Sequence, residues 1–373
     1  MEEMNAVATT LSQTRLDLAP APPVQVQSIA ADLAPLWFVR YRMRLVPRAP
    51  LVLPLHGRGA ILRGAFGITL RGLVCHDMTL ACRACPLRAQ CPYPNTFEAA
   101  PPEGGDRLSN FSDIPRPFVF DPPADERAEF RPGETVEFGL TVVGRASRLA
   151  PYFVTAFRKL ADDGLGPRRA RFDLVEVVAL GRRDEETDGR DGKETLPRFV
   201  AAGPRERVTT EIPIYKNTES LVRIAAPALR VGDSVRPEDA TLTRLALRFL
   251  TPVDLRDRGV PVVAPEFGPL VRRLRDRASS LAAFFGDGPL ELDFKGVSAL
   301  ADTVRLVENR TRVLTVNRHS SKTGQRHDIG GFIGEARYEG AAIGRLMPLV
   351  RVGEVVHVGK HAAFGNGRME VVG

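Results

Sequence analysis

The chain has 373 residues and a mass of 40.8 kDa, room for roughly two or three domains of about 100–200 residues each, which excludes a small stapled scaffold. With 43% hydrophobic and 26% charged residues, and no run near the roughly 18 unbroken apolar residues of a membrane span, it is neither collagenous, disordered in bulk nor transmembrane. A formal charge of +7 favours a polyanionic partner.

The cations are nearly all arginine, since lysine stands only at 159, 193, 216, 295, 322 and 360. Arginine offers a planar, bidentate, stackable donor array suited to phosphates and base edges; a bias toward arginine codons is the plainer explanation of the same excess. The Met1–Met4 start is acidic and no apolar segment follows, unlike a secretory signal, so the expected compartment is the cytoplasm.

Residues 1–33, rich in Ala, Pro, Gln and Ser, read as a mobile N-terminal extension. From Trp37 to Val46 apolar residues alternate with arginines, the period-two pattern of a half-buried strand. A loop around Leu53–Ala60 leads to a helix with Leu62, Phe66, Leu70 and Leu73 in one stripe. Cysteines follow at 75, 82, 85 and 91. After a Pro/Gly-rich stretch (95–115), Pro117–Phe120 and Glu134–Val143 read as strands. A second helix runs through Leu149, Phe153, Phe157 and Leu160, with Pro151 in its first turn, and Phe172–Leu180 closes as a strand.

Strand, helix, strand, strand, helix, strand is the ferredoxin-like order. The charged segment Arg182–Glu194 reads as a solvated tip or linker. The same order then recurs: a strand at Leu242–Phe249, a helix over Phe267–Phe285, strands at Val304–Val316 and Gly331–Tyr338, a short helix at Ala342–Leu349 and a glycine-rich end. The expected architecture is therefore α+β: an N-terminal domain at 34–200 with a cysteine insertion at 75–91, and a C-terminal domain at 201–373 with a glycine-rich loop at 357–368.

Three segments carry chemistry. Cys75, Cys82, Cys85 and Cys91 lie within 17 residues, a spacing that can wrap one tetrahedral ion. The first reading is a structural zinc with no catalytic role; the Cys85-Pro86 and Cys91-Pro92 pairs keep an iron–sulfur cluster as the alternative. The second segment, Val316–Asp328, carries Arg318, His319, Lys322, Arg326 and His327 on a hairpin-like loop fit to sit among phosphates; the bland reading is a solvated loop. The third, Val356–Arg368, combines Gly359, Gly365 and Gly367 with Lys360, His361 and Arg368, so that backbone amides and cations could approach a phosphate. No Walker loop, dinucleotide fingerprint, GxSxG elbow, HExxH or DxD-type carboxylate cluster is present.

Together these segments resemble the CRISPR-associated precursor-RNA endoribonucleases of the RAMP superfamily, the CRISPR-associated protein 6 family in its cysteine-containing form. The resemblance is carried by Ile61–Arg71, by Cys82–Tyr93 with Phe97-Glu98, by Phe138–Gly144, by Gly330–Gly340 and by His357–Arg368. It implies two tandem ferredoxin-like domains, a glycine-rich loop near the cleft between them, and metal-independent cleavage of CRISPR repeat RNA by the neighbouring 2′-hydroxyl, leaving a 2′,3′-cyclic phosphate and a 5′-hydroxyl. It further implies that His56, placed by order before the first helix, does acid–base work and that Lys360 or Arg63 holds the phosphate charge. RNA contacts would come from Arg318, His319, Lys322, Arg326 and His327 and from Gly359, His361, Gly365, Gly367 and Arg368. The partners implied are repeat RNA, mature CRISPR RNA and other CRISPR effector subunits, with no membrane. Relatives commonly have an aromatic-Lys-Gly sequence where this chain has Leu55-His56-Gly57-Arg58, so His319, His327 and His361 stay as rival catalysts. The alternative function is an inactive RAMP subunit that holds guide RNA in an effector complex.

Overall fold

A computed structural model describes residues 29–100, 114–183, 199–200, 210–219, 222–223, 226, 228–257, 259–319 and 326–372. The expected linker falls almost wholly outside these residues, as do most of the N-terminal extension and much of the Pro/Gly-rich stretch.

The first unit is built as its sequence pattern predicts. Strand β1 (Trp37–Pro47) buries Tyr41, Met43 and Leu45 on one face and turns Arg40, Arg42 and Arg44 to the other. Helix α1 (Arg58–Val74), strands β2 (Phe118–Asp121) and β3 (Val136–Val143), helix α2 (Ala150–Asp163) and strand β4 (Phe172–Arg183) follow. The antiparallel sheet order is β2-β3-β1-β4, so each unit strand sits where a ferredoxin-like fold requires it. Its core is organised around Phe66 of α1, whose ring packs on Phe97, Phe118, Phe120, Phe153 and Phe157 at 5.1–6.1 Å. Leu62 and Leu70 are fully buried beside it, whereas Leu73, expected on the same stripe, is exposed because the helix is ending there.

The sheet does not stop at residue 200. Strand β5 (Thr210–Lys216) pairs with β4, and Leu229–Arg230 pairs with β1, so first-unit pairing extends past the expected domain boundary. The extension also ends earlier than expected: Ile29–Asp32 form one helical turn, and Ile29 and Leu33 pack into the core of the second unit.

In that second unit, β6 (Arg244–Val253), α3 (Phe267–Phe285), α4 (Phe294–Asp302), β7 (Arg305–Leu314), the small hairpin β8 (Asn317–His319) and β9 (Arg326–Asp328), β10 (Gly331–Glu339), α5 (Ile343–Val356) and β11 (Met369–Val372) follow in turn. The antiparallel order β7-β10-β6-β11 repeats that of the first sheet. Helix α5 runs seven residues past the expected end at Leu349 and is buried on every side, including Arg351 and Glu354. Both charges lie beyond the expected end of the helix at Leu349. They are tolerated because Arg351 donates to both Asp239 oxygens at 3.0 and 2.8 Å and to Glu354 at 2.9 Å, which offsets the desolvation of an ion buried in apolar surroundings. Strand β11 is too short to show a period.

The two units share packing. Phe38 and Val143 of the first sheet belong to the same core as Leu270, Leu274 and Val350, and Trp37 donates to Asp287 at 2.8 Å. No described helix is long and apolar enough to cross a membrane.

Candidate functional site

The glycine-rich turn after α5 fastens the two units together. His357 is wholly buried with φ 60°. Its Nδ1 lies 3.1 Å from the Asn366 carbonyl and its Nε2 lies 3.0 Å from Asp121 at the end of β2. Each ring nitrogen therefore faces an oxygen that can accept a hydrogen bond from it. Burial by itself would raise the Asp121 carboxyl, but the hydrogen bond and charge of His357, with Arg368 and Arg40 beyond it, hold it well below the usual carboxylate range. Asn366 in turn donates to the Ile329 carbonyl at 2.6 Å, tying the turn to the base of the β8–β9 hairpin.

Glycine is needed here for close approach. A Cβ on Gly59 of α1 would stand 1.9 Å from the Phe364 carbonyl oxygen, and one on Gly367 (φ 74°) would stand 1.8 Å from the Val358 oxygen. The amides of Lys360, Gly365 and Gly367 donate to Asp254, Ala362 and Pro252, and Gly365 and Gly367 are buried. The expected phosphate cradle is therefore corrected at Gly365 and Gly367, since an amide already committed to a carbonyl has no hydrogen left for a phosphate: Gly365 lies against the Phe120 carbonyl of the first unit, and Gly367 closes the turn on Val358. A Cβ on Gly359 (φ 81°) would stand 2.4 Å from the Asp254 carbonyl oxygen, so this glycine packs the turn against the loop after β6 within the second unit. Arg368 sits 3.7 Å from Asp121 and lines a groove of about 550 Å³ with Arg40, Arg42 and Glu137.

His56 is exposed in the loop that enters α1 through Gly57, whose φ is 94°. It lines a groove of about 820 Å³ together with Lys159, Arg169 and the hairpin base at Val316, Asn317 and Ile329. The loop is held by Arg58, which is buried and donates to the carbonyls of Pro123, Asp125 and Arg127 at 2.6–3.0 Å. Sequence reasoning missed this anchor, as it missed Asp121 and Arg169. Only the bulk of a charged residue between two glycines could have hinted at Arg58.

The three residues expected to share catalysis are not brought together. Lys360 lies 4.0 Å from Asp254 and lines a different cavity from His56. Arg63 is held between the rings of Phe97 and Phe364, at 4.9 and 4.8 Å, a stacking role that joins the first unit to the turn. His361 packs on Phe364 at 5.7 Å. On the hairpin, Arg326 and His327 are exposed; Arg318 and His319 are paired across from them, and Lys322 lies outside the described residues.

The four cysteines are free thiols, all partly exposed, and they line one cavity of about 160 Å³. Tyr93 and Phe97 stack at 5.3 Å and moor the segment to α1, where Phe97 covers Gly67. In donor chemistry the set suits a tetrahedral thiophilic ion. Among the described residues, no three His, Cys, Asp or Glu side chains are already gathered as a ligand set.

Fold and groove define a class: a tandem ferredoxin-like protein with arginine-rich grooves where its two units meet. Residues 247–369 match the family model of the CRISPR-associated endoribonuclease Cas6, and residues 35–197 match a model described as an N-terminal domain. The part of the chain that resembles the Cas6 family by sequence is thus its C-terminal third. Among solved structures it is similar to a partial Cas6-RT-Cas1–Cas2 complex (TM-score 0.50, 12% identity, covering 90% of this chain and 46% of that one). It is also similar to Thermus thermophilus Cas6 (TTHB231; TM-score 0.46, 15% identity, 90% and 99% covered) and to a Cas6-related protein of Pyrococcus furiosus (TM-score 0.40, 11% identity, 90% and 98% covered). No curated protein matches the sequence.

Proposed function

We propose that the chain cleaves CRISPR repeat RNA in precursor transcripts, in the cytoplasm, by metal-independent attack of a ribose 2′-hydroxyl on the adjacent phosphate. The products are a 2′,3′-cyclic phosphate and a 5′-hydroxyl. The observation that carries this reading is the exposed His56 lining one groove with Arg169, with Lys159 and its ion-pair partner Asp163, and with the base of the basic hairpin. The reaction needs a proton acceptor for the 2′-hydroxyl, a proton donor for the leaving 5′-oxygen and positive charge beside the pentavalent phosphate. His56 supplies proton transfer. Arg169 takes the charge-stabilising role expected of Lys360 or Arg63, both of which are placed elsewhere.

The match of residues 247–369 to the Cas6 endoribonuclease model supports repeat RNA as the substrate, and the Cas6-RT-Cas1–Cas2 assembly among the similar structures supports further CRISPR proteins as partners. A zinc ion held by Cys75, Cys82, Cys85 and Cys91 completes the proposal, with a folding role. A guide-holding subunit without activity is the second reading, favoured by the dispersal of His56, Lys360 and Arg63 over separate surroundings. Incubation with repeat RNA in EDTA decides: cutting that one 2′-deoxy substitution abolishes supports the nuclease, and tight binding without cutting supports the subunit.

A further inference from the structure

Apart from the His56 groove, α3, the loop after β6 and the Gly359–Lys360 turn line a second cavity, of about 550 Å³. Arg256, Arg273, Arg277 and Lys360 line it, with Phe284 and Phe294 as apolar wall. Two carboxylates are present, and both are engaged: Asp276 by Arg275 at 2.7 Å and Arg273 at 3.6 Å, and Asp254 by Lys360 at 4.0 Å.

Arg277 stands apart. Its Nε donates to the Val356 carbonyl at 2.8 Å, while its Nη2 is buried with no hydrogen-bond partner. Burial pushes its guanidinium down to about 10, and no charged neighbour offsets that cost. A guanidinium desolvated without a counter-ion is unfavourable unless an anion completes it. The fold could have placed a neutral side chain at this point of α3, so the unmatched charge marks where a ligand's charge belongs.

We propose that this cavity is a second RNA subsite, which takes the phosphate of one unpaired nucleotide on Arg277 and Arg256 and its base against Phe284 and Phe294. The cavity is of single-nucleotide size and does not admit a duplex. Aromatic walls beside cations are the usual means of holding unpaired bases without reading their sequence. The inference rests on the chain being an RNA-binding protein, and it places a strand in a cavity distinct from the proposed cleavage groove.

The test uses Arg277→Met, which keeps the apolar stem and removes the charge, and Arg256→Ala at the exposed rim, which leaves the core untouched. Affinities are measured by fluorescence anisotropy for a repeat hairpin with a single-stranded 5′ extension and for the bare hairpin. Each variant is expected to weaken binding of the extended RNA about tenfold and to lower its salt slope by about one, with a much smaller change for the bare hairpin. Thermal melting supplies the second readout: inorganic phosphate should raise the Tm of the wild type and not of Arg277→Met. Equal affinities for the extended RNA in wild type and both variants would overturn the subsite. A phosphate-dependent Tm shift with unchanged RNA affinity would also overturn it, assigning the cavity to a free anion instead. Failure of the wild type to bind either RNA would instead refute the RNA-binding reading.

Discussion

Asp121 accepts from His357 at 3.0 Å across the junction of the two ferredoxin-like units, and this bond joins the end of β2 to the turn that follows α5. The imidazole is fully buried and its other nitrogen is also engaged, so the ring cannot turn to water when Asp121 is lost. Asp121→Asn is expected to cost about 2–3 kcal/mol of stability, because a buried ion pair broken on one side leaves the other charge uncompensated. Urea denaturation of the variant measures it; an unchanged midpoint would remove the latch from the account.

The same pair sets an acid limit. The Asp121 carboxyl is held below its unfolded value of about 3.9 despite burial, through His357, Arg368 and Arg40. A depressed carboxyl contributes stability above the unfolded pKa and loses it as pH falls toward the folded one. Unfolding free energy should therefore drop below about pH 4, and Asp121→Asn should flatten that part of the curve.

Two glycines of one helix are predicted to respond with opposite signs. Gly64 has no atom within 4 Å of a would-be Cβ, so Gly64→Ala should gain about 0.5–1 kcal/mol from helix propensity. Gly59→Ala has the same propensity gain, but its methyl meets the Phe364 carbonyl oxygen at 1.9 Å. The overpacking cost of about 1–3 kcal/mol outweighs that gain. Paired thermal melts check both directions.

His56→Ala should lower the cleavage rate about 100-fold or more, the low end for lost acid–base catalysis, with RNA affinity kept. Arg169→Ala should also slow cutting, whereas Arg63→Ala should lose stability first, since its guanidinium is sandwiched between Phe97 and Phe364. Single-turnover kinetics beside melting curves separate the two kinds of effect. If His56→Ala cuts at the wild-type rate, His327 and His361 are the next residues to test.

Elemental analysis should find one zinc per chain, and chelation should lower the Tm. A brown protein with visible absorption would replace zinc by an iron–sulfur cluster.

Much of the fold was legible because β1 and α1 bury one face each, which leaves a period in the residues. Helix α5 was read too short because it is buried all round, so no polar face marks it, and its internal charges are satisfied by Asp239 from a distant segment. The site was less legible. Motif spacing put His357, Lys360 and Arg368 in one phosphate-binding segment, but the chain turns sharply there. His357 goes into the core, Lys360 to the cavity beside α3, and Arg368 to the Arg40 groove. Asp121 and Arg169 belong to no motif; their meaning comes from residues far away in sequence.

The most direct test of the central claim is to map the ends left when the full chain meets a CRISPR repeat RNA in excess EDTA. The account predicts one cut per repeat, with a 2′,3′-cyclic phosphate on the upstream fragment and a 5′-hydroxyl on the downstream one. A 3′-hydroxyl with a 5′-phosphate, or RNA that is bound and left whole, would contradict it.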